Sequence, residues 1–151
     1  MHTVELLHLP SVQVAVVQRQ VAPSELSRVV PECCGLVWNA LRAQRITGGR
    51  NVAIYWDSRI RLEAGVESNA PFTETDDVAL SATPSGPTVH AIHFGPYASL
   101  TRTHSAIQQW SEQHGHRLAG PNWEIYGHWL PEWNESPSQI RTDVFYQVAT
   151  R

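Results

Sequence analysis

The chain has 151 residues, 42% of them hydrophobic and 17% charged, which fits one globular domain and excludes a long disordered or collagen-like chain. Eleven Lys and Arg against fourteen Asp and Glu leave a net charge of -3, so the basic surplus of a nucleic-acid binder is missing and no direct nucleic-acid binding is expected. No segment approaches the ~20 apolar residues that a bilayer crossing needs, and the start, Met1-His2-Thr3-Val4-Glu5, lacks the basic end and apolar run of a signal peptide; a cytoplasmic protein without membrane contact is the expectation.

The first strand is expected over residues 12–18, where Val12, Val14 and Val16 alternate onto one face. Pro23-Ser24 breaks it, and Ser24-Glu25-Leu26 suggests a short helical turn. The main helix is expected from Pro31 to about Gln44. Pro31 suits a first turn, where a missing N–H costs nothing. Cys33, Val37, Ala40 and Leu41 recur at helical spacing with Trp38 beside them. Cys33 and Cys34 are the only cysteines; neighbours bridge poorly, so they read as two buried free thiols, which suits a reducing compartment. Gly48-Gly49 ends the segment. Strands at 51–57 and 61–67 follow, joined by a turn at Asp57-Ser58-Arg59. Val52, Ile54 and Trp56 share a face of the first. In the second, Leu62, Ala64 and Val66 oppose Arg61, Glu63 and Glu67, the mark of a half-exposed antiparallel strand. A short extra strand at 78–83 precedes the turn Pro84-Ser85-Gly86-Pro87.

The pattern then repeats. Residues 88–94 read as a strand and Gly95-Pro96-Tyr97 as a turn. Residues 99–114 read as a helix with Leu100, Ile107 and Trp110 on one stripe, which puts Trp110 against the sheet, and Gly115 as its C-cap. A strand at 123–129, a loop at 131–138 and a last strand at 142–148 complete the chain. The expected fold class is α+β: tandem βαββ repeats with pseudo-twofold symmetry, over residues 10–67 and 86–149 of a single domain 1–151. It has an antiparallel sheet, two long helices and a cleft between the repeats.

The strand at 123–129 is the richest in chemistry. Alternation puts Glu124, Tyr126 and His128 on one face and Trp123, Ile125 and Trp129 on the other. The second set is expected to pack under helices, leaving the first to a cleft or to solvent. A carboxylate, a phenol and an imidazole on one face can bind a cation or do acid–base work; an ordinary solvated polar face is the alternative. An inward Glu walled by aromatics needs a cationic partner or a raised pKa. Of the eight histidines, His90 and His93 point opposite ways on one strand, and His114 and His116 flank a helix end without a nearby cysteine or carboxylate set. No metal and no cofactor is expected. Nucleophile-elbow, Walker and dinucleotide motifs are missing.

The run Thr88-Val89-His90-Ala91-Ile92-His93-Phe94-Gly95-Pro96-Tyr97, a helix with Trp110, and then Gly120-Pro121-Asn122-Trp123-Glu124-Ile125-Tyr126 resembles the gyrase-inhibitor-like (GyrI-like) effector-binding family. Gly-Pro-Tyr before the second helix, Glu-x-Tyr on the next strand and the closing Thr142-Asp143-Val144-Phe145 carry the resemblance, which spans about Val12 to Val148. Members occur alone and as the ligand-binding halves of AraC-type and MerR-type transcription regulators. The resemblance implies a domain that binds amphipathic, often cationic small molecules, with a multidrug-binding role tied to transcription regulation. Glu124 matches the acidic residue of the family's cleft and Tyr126 the tyrosine of the same motif. Trp38, Tyr55, Tyr97 and Trp123 are the expected aromatic lining, with Asp143 the next carboxylate to consider. Some relatives are implied to hydrolyse reactive electrophiles, and the catalytic pair would then be Glu124 and Tyr126. A third reading is a protein-interaction module whose partner is gyrase or a separate regulator.

Overall fold

Two segments of the chain each build a four-stranded antiparallel sheet with one long helix. The structure, a computed structural model, describes residues 3–57 and 61–150. The strands and helices are β1 (Val4–Leu9), β2 (Gln13–Gln20), α1 (Leu26–Ala43), β3 (Gly48–Tyr55), β4 (Arg61–Ser68), β5 (Ala79–Ala82), β6 (Gly86–Phe94), α2 (Leu100–Gln113), β7 (Leu118–Tyr126) and β8 (Arg141–Val148). The chain divides into two compact units, Ser11–Pro84 and Met1–Pro10 with Ser85–Arg151. In the first, β2-α1-β3-β4 forms the βαββ motif and β5 pairs beside β2. In the second, β6-α2-β7-β8 forms it and β1 pairs beside β6. The α+β class and the doubled motif match the sequence reading. Among the described residues no helix is long and apolar enough to cross a membrane.

The helices obey their stripes. Val29, Cys33, Val37 and Leu41, at four-residue spacing, are buried along α1. Leu100, Thr103, Ile107 and Ser111 do the same along α2. Trp110 is half-buried and packs against the core cluster of the second unit, which includes Val89, Ile107 and Val148, and its ring stacks on His114 at 4.1 Å. Gly115 follows α2 with φ 72°, the left-handed geometry that closes a helix without a Cβ clash. Both cysteines are free and buried. Burial pushes the Cys34 thiol up to about 12, and its Sγ donates to the Gly65 carbonyl at 3.4 Å.

Several boundaries differ from the sequence reading. Helix α1 starts five residues before Pro31, directly after the turn Pro23–Glu25, so Pro31 is in the helix interior and not in its first turn. Its missing N–H leaves the carbonyl of exposed Ser27 to water. Strand β1 carries no alternating pattern because it is an edge strand whose residues are nearly all partly or fully exposed. Strand β4 is not half-exposed, since Glu63 is 8% exposed. Strand β7 runs over Leu118–Tyr126, with a register break between Leu118 and Asn122 and Gly120 at φ 118°. It ends before His128 and Trp129, which therefore do not share its faces; both are exposed. The expected turn Asp57-Ser58-Arg59 extends outside the described residues.

Strands β4 and β8 carry the same order of exposed and buried positions. Arg61 thus corresponds to Arg141, Glu63 to Asp143, and Gly65 to Phe145. On the sheet face away from the helix the two units differ at this last position. In the second unit Phe145 stacks on His90 at 4.8 Å and on Trp123 at 5.2 Å. In the first unit, pairing puts Gly65 between Val16 and Val52.

Candidate functional site

Glu124 and Tyr126 stand two residues apart on β7, opposite Val144 and Thr142 of β8, so all four share one face with Tyr146. That face carries α2: Leu100 and Ile107 pack with Val144, Tyr146 and Tyr126. The expectation was the reverse, with Trp123 and Ile125 under the helix. Those two are nevertheless buried, at 2% and 5% exposure, on the opposite face.

Glu124 is 5% exposed and sits in a hydrogen-bonded chain. The Tyr126 hydroxyl donates to its Oε1 at 2.8 Å. His104, on α2, contacts its Oε2 through Nε2 at 2.8 Å, and the other ring nitrogen, Nδ1, lies 2.6 Å from the Tyr146 hydroxyl. One assignment of protons satisfies the chain with a neutral ring: Tyr146 O–H donates to Nδ1, and Nε2–H donates to Glu124. Burial, followed by the charge of Glu124, pushes the Tyr146 phenol up to about 12. A carboxylate so deep in the protein is stable only with such partners. The outer wall is Tyr97, 45% exposed, whose ring meets that of Tyr126 edge-on at 5.6 Å; burial raises its phenol pKa too.

Of the residues named from sequence, the structure therefore brings together Glu124, Tyr126 and Tyr97. Trp123 and Asp143 lie on the other face of the same sheet. Trp38 and Tyr55 belong to the first unit. There Trp38 donates its indole N–H to Asn51 at 2.7 Å, and Tyr55 ends β3 at the position Tyr126 holds in β7. His104 is the member of this hydrogen-bonded chain that the sequence reading does not name. Its signal was present, since position 104 falls four after Leu100 and three before Ile107, on the sheet-facing stripe of α2.

Asp143 has its own network. His90 Nε2 is 2.8 Å from its Oδ2, Arg141 Nε donates to Oδ1 at 2.9 Å, and His90 Nδ1 reaches Glu5 at 3.2 Å. Burial works to raise the Asp143 pKa, but the bonds from His90 and Arg141 hold it down at about 2. Burial likewise works to lower the His90 pKa, and the bonds to Asp143 and Glu5 more than offset it. The consequence has two signs. A carboxyl shifted below its unfolded value of 3.8 contributes stability above that pH, lost as pH falls toward 2, worth about 2 kcal/mol. An imidazole shifted above 6.5 contributes stability below that pH, lost as pH rises through its folded value. Denaturant unfolding from pH 2 to 9 is therefore expected to show both contributions between about pH 4 and 6.5. Asp143→Asn is expected to flatten both limbs; an unchanged profile would contradict the assignment.

Among the described residues, no group of three or more His, Cys, Asp or Glu side chains is arranged to hold a metal ion. His90 and His93 do face opposite ways. His93 turns toward α2, with Nδ1 2.7 Å from the Thr103 hydroxyl.

The sequence profile of the GyrI-like small molecule binding domain matches residues 2–149. A comparison with curated proteins finds no match. Among solved structures the chain is similar to the EcmrR C-terminal domain, with 20% identity and TM-score 0.80 over 100% of this chain and 99% of that one. EcmrR in its complex with DNA gives 20% identity and TM-score 0.79 over 99% of this chain, which spans 58% of that chain's length. SAV2435 bound to tetraphenylphosphonium gives 10% identity and TM-score 0.69, over 97% of this chain and 94% of that one. At these identities the structural likeness is one of fold. The profile covers nearly the full length: the chain belongs to the GyrI-like small molecule binding domain family.

Proposed function

We propose that this domain binds amphipathic organic cations at the Glu124 face of its second unit and acts as a drug- or toxin-sensing or sequestering module. The observation that carries the reading is the deeply buried Glu124 carboxylate, with hydrogen-bond partners on two elements and an aromatic wall of Tyr126 and Tyr97. Carboxylate and aromatic rings both favour a cation in a partly desolvated site. The side chain of His104, a partner of the carboxylate, is 20% exposed, and an entering cation approaches Glu124 past it. The tetraphenylphosphonium bound to SAV2435 is a ligand of this class and supports the reading. A role in transcription would run through a DNA-binding protein, as the EcmrR–DNA complex suggests by analogy.

The test compares two ions of one shape and opposite charge. Tetraphenylphosphonium is expected to bind at micromolar affinity, on the order of -8 kcal/mol, in a calorimetric titration. Tetraphenylborate is expected to bind far more weakly. Equal affinities would overturn the reading.

A second reading, hydrolysis of electrophilic small molecules, is favoured by the Glu124–His104–Tyr146 chain. Such a chain can take up a proton from an attacking water, while Tyr126 serves the leaving group. Turnover of an epoxide or other strained electrophile, abolished by Glu124→Gln while a neutral substrate still binds, would establish it.

A further inference from the structure

The first unit contains a second buried carboxylate with a different environment. Glu63 of β4 is 8% exposed, on the sheet face away from α1. Its Oε1 accepts from the Trp56 indole N–H at 2.7 Å and the Ser81 hydroxyl at 2.6 Å; its Oε2 accepts from the Gln18 amide at 2.7 Å. All three partners are neutral donors. The matching residue of the second unit, Asp143, is neutralised by Arg141 from its own strand and by His90. In β4 the corresponding arginine, Arg61, pairs instead with Asp57 at 2.7 Å. No described Lys, Arg or His forms an ion pair with Glu63.

An ionised carboxylate kept from water without a cation is costly, and here it is not sealed in. It lines an open depression of about 490 Å³ where β2 ends and β4 begins, together with Trp56, Gln18, Arg19 and Arg61. Among the described residues, the depression thus offers a carboxylate against an aromatic wall, flanked by the guanidinium groups of Arg19 and of Arg61, the latter already paired with Asp57. Arg19 and Arg61 are both exposed. A plain cation would meet their repulsion. An anion alone would meet Glu63. A small molecule carrying both charges satisfies all three groups.

We propose that this depression binds a small zwitterion of the betaine or amino-acid class, its ammonium group against Glu63 and Trp56 and its carboxylate toward Arg19 and Arg61. Methylated ammonium suits the site best, because Trp56 supplies an apolar and π-rich contact while the three donors already on Glu63 leave few hydrogen bonds to offer. The site is independent of Glu124, which lies in the other unit, so it neither requires nor predicts binding there.

The probe is L-carnitine, with choline as the same cation lacking the carboxylate, titrated calorimetrically into the full chain. Saturable one-to-one binding of carnitine is expected, with choline at least about tenfold weaker. Glu63→Gln is expected to weaken carnitine at least about tenfold. Arg61→Gln is expected to weaken carnitine and leave choline unchanged. Glu124→Gln is expected to leave carnitine unchanged. If Glu63→Gln fails to fold, judged by circular dichroism, Trp56→Phe takes its place and is expected to weaken carnitine. No saturable carnitine binding, equal affinity for choline, insensitivity to the Glu63 or Trp56 substitution, or loss of carnitine in Glu124→Gln would each overturn the proposal.

Discussion

Trp123→Ala is expected to cost about 3–5 kcal/mol of stability, the usual range for removing a large aromatic from a packed core. Trp123 is 2% exposed and is the largest side chain with essentially no contact with water. Its ring lies nearly parallel to Phe145, at 5.2 Å and 10°, so the substitution removes apolar area and a stacking contact together. His90 also stacks on Phe145, at 4.8 Å, and the loosening is expected to reach the Asp143 network. Denaturant unfolding read by circular dichroism measures the loss. A cost below about 1 kcal/mol would mean that the site collapses around the gap, against the packing described.

Gly65→Ala is expected to destabilise the first unit by about 3 kcal/mol or more, at the upper end for overpacking. A Cβ at Gly65 would collide with the Ala15 carbonyl oxygen and stand 2.9 Å from both the Ala15 carbonyl carbon and the Val16 Cα. These are backbone atoms of β2, paired to β4 on one side and to β5 on the other, so no side chain can swing aside. The conformation of Gly65 is not the reason; the close approach of the neighbouring strand is. Gly86, by contrast, has open space around its Cβ position, and its constraint is its backbone, at φ 103°. Amide hydrogen exchange should localise the Gly65→Ala damage to β2, β4 and β5. Uniform retention of protection there would contradict the account.

The two βαββ motifs were legible because period-two and period-3.6 patterns alternate twice, with Gly and Pro marking most breaks. Gly115 and the stripes of α1 and α2 were readable for the same reason. The start of α1 was hidden by Pro31, which usually marks a first turn and here sits within the helix, where the bond it cannot make falls on exposed Ser27. Strand β1 was hidden because an edge strand need not bury an alternating face. At the candidate site, Glu124 and Tyr126 were legible through strand alternation and family resemblance. Which face α2 covers was not. Both faces of β7 are buried from Trp123 to Ile125, so apolar alternation carries no direction there. His104 shows the limit most plainly: its helical stripe was readable, but only the tertiary packing joins it to a carboxylate twenty positions later.

The proposed contact between Glu124 and a cationic ligand is tested most directly by tetraphenylphosphonium and tetraphenylborate titrated into the wild-type chain and into Glu124→Gln. Glutamine preserves the shape, and the network can run in reverse, its amide donating to His104 Nε2 while Nδ1–H donates to the Tyr146 oxygen. The fold should therefore persist, as near-native unfolding would show. The account predicts that tetraphenylphosphonium affinity falls by ~1.5–3 kcal/mol, the worth of a charge–charge attraction across roughly 6–10 Å at an effective dielectric constant of about 20, while tetraphenylborate affinity does not fall. Unchanged tetraphenylphosphonium affinity in folded Glu124→Gln, or an equal loss for both ions, would contradict it.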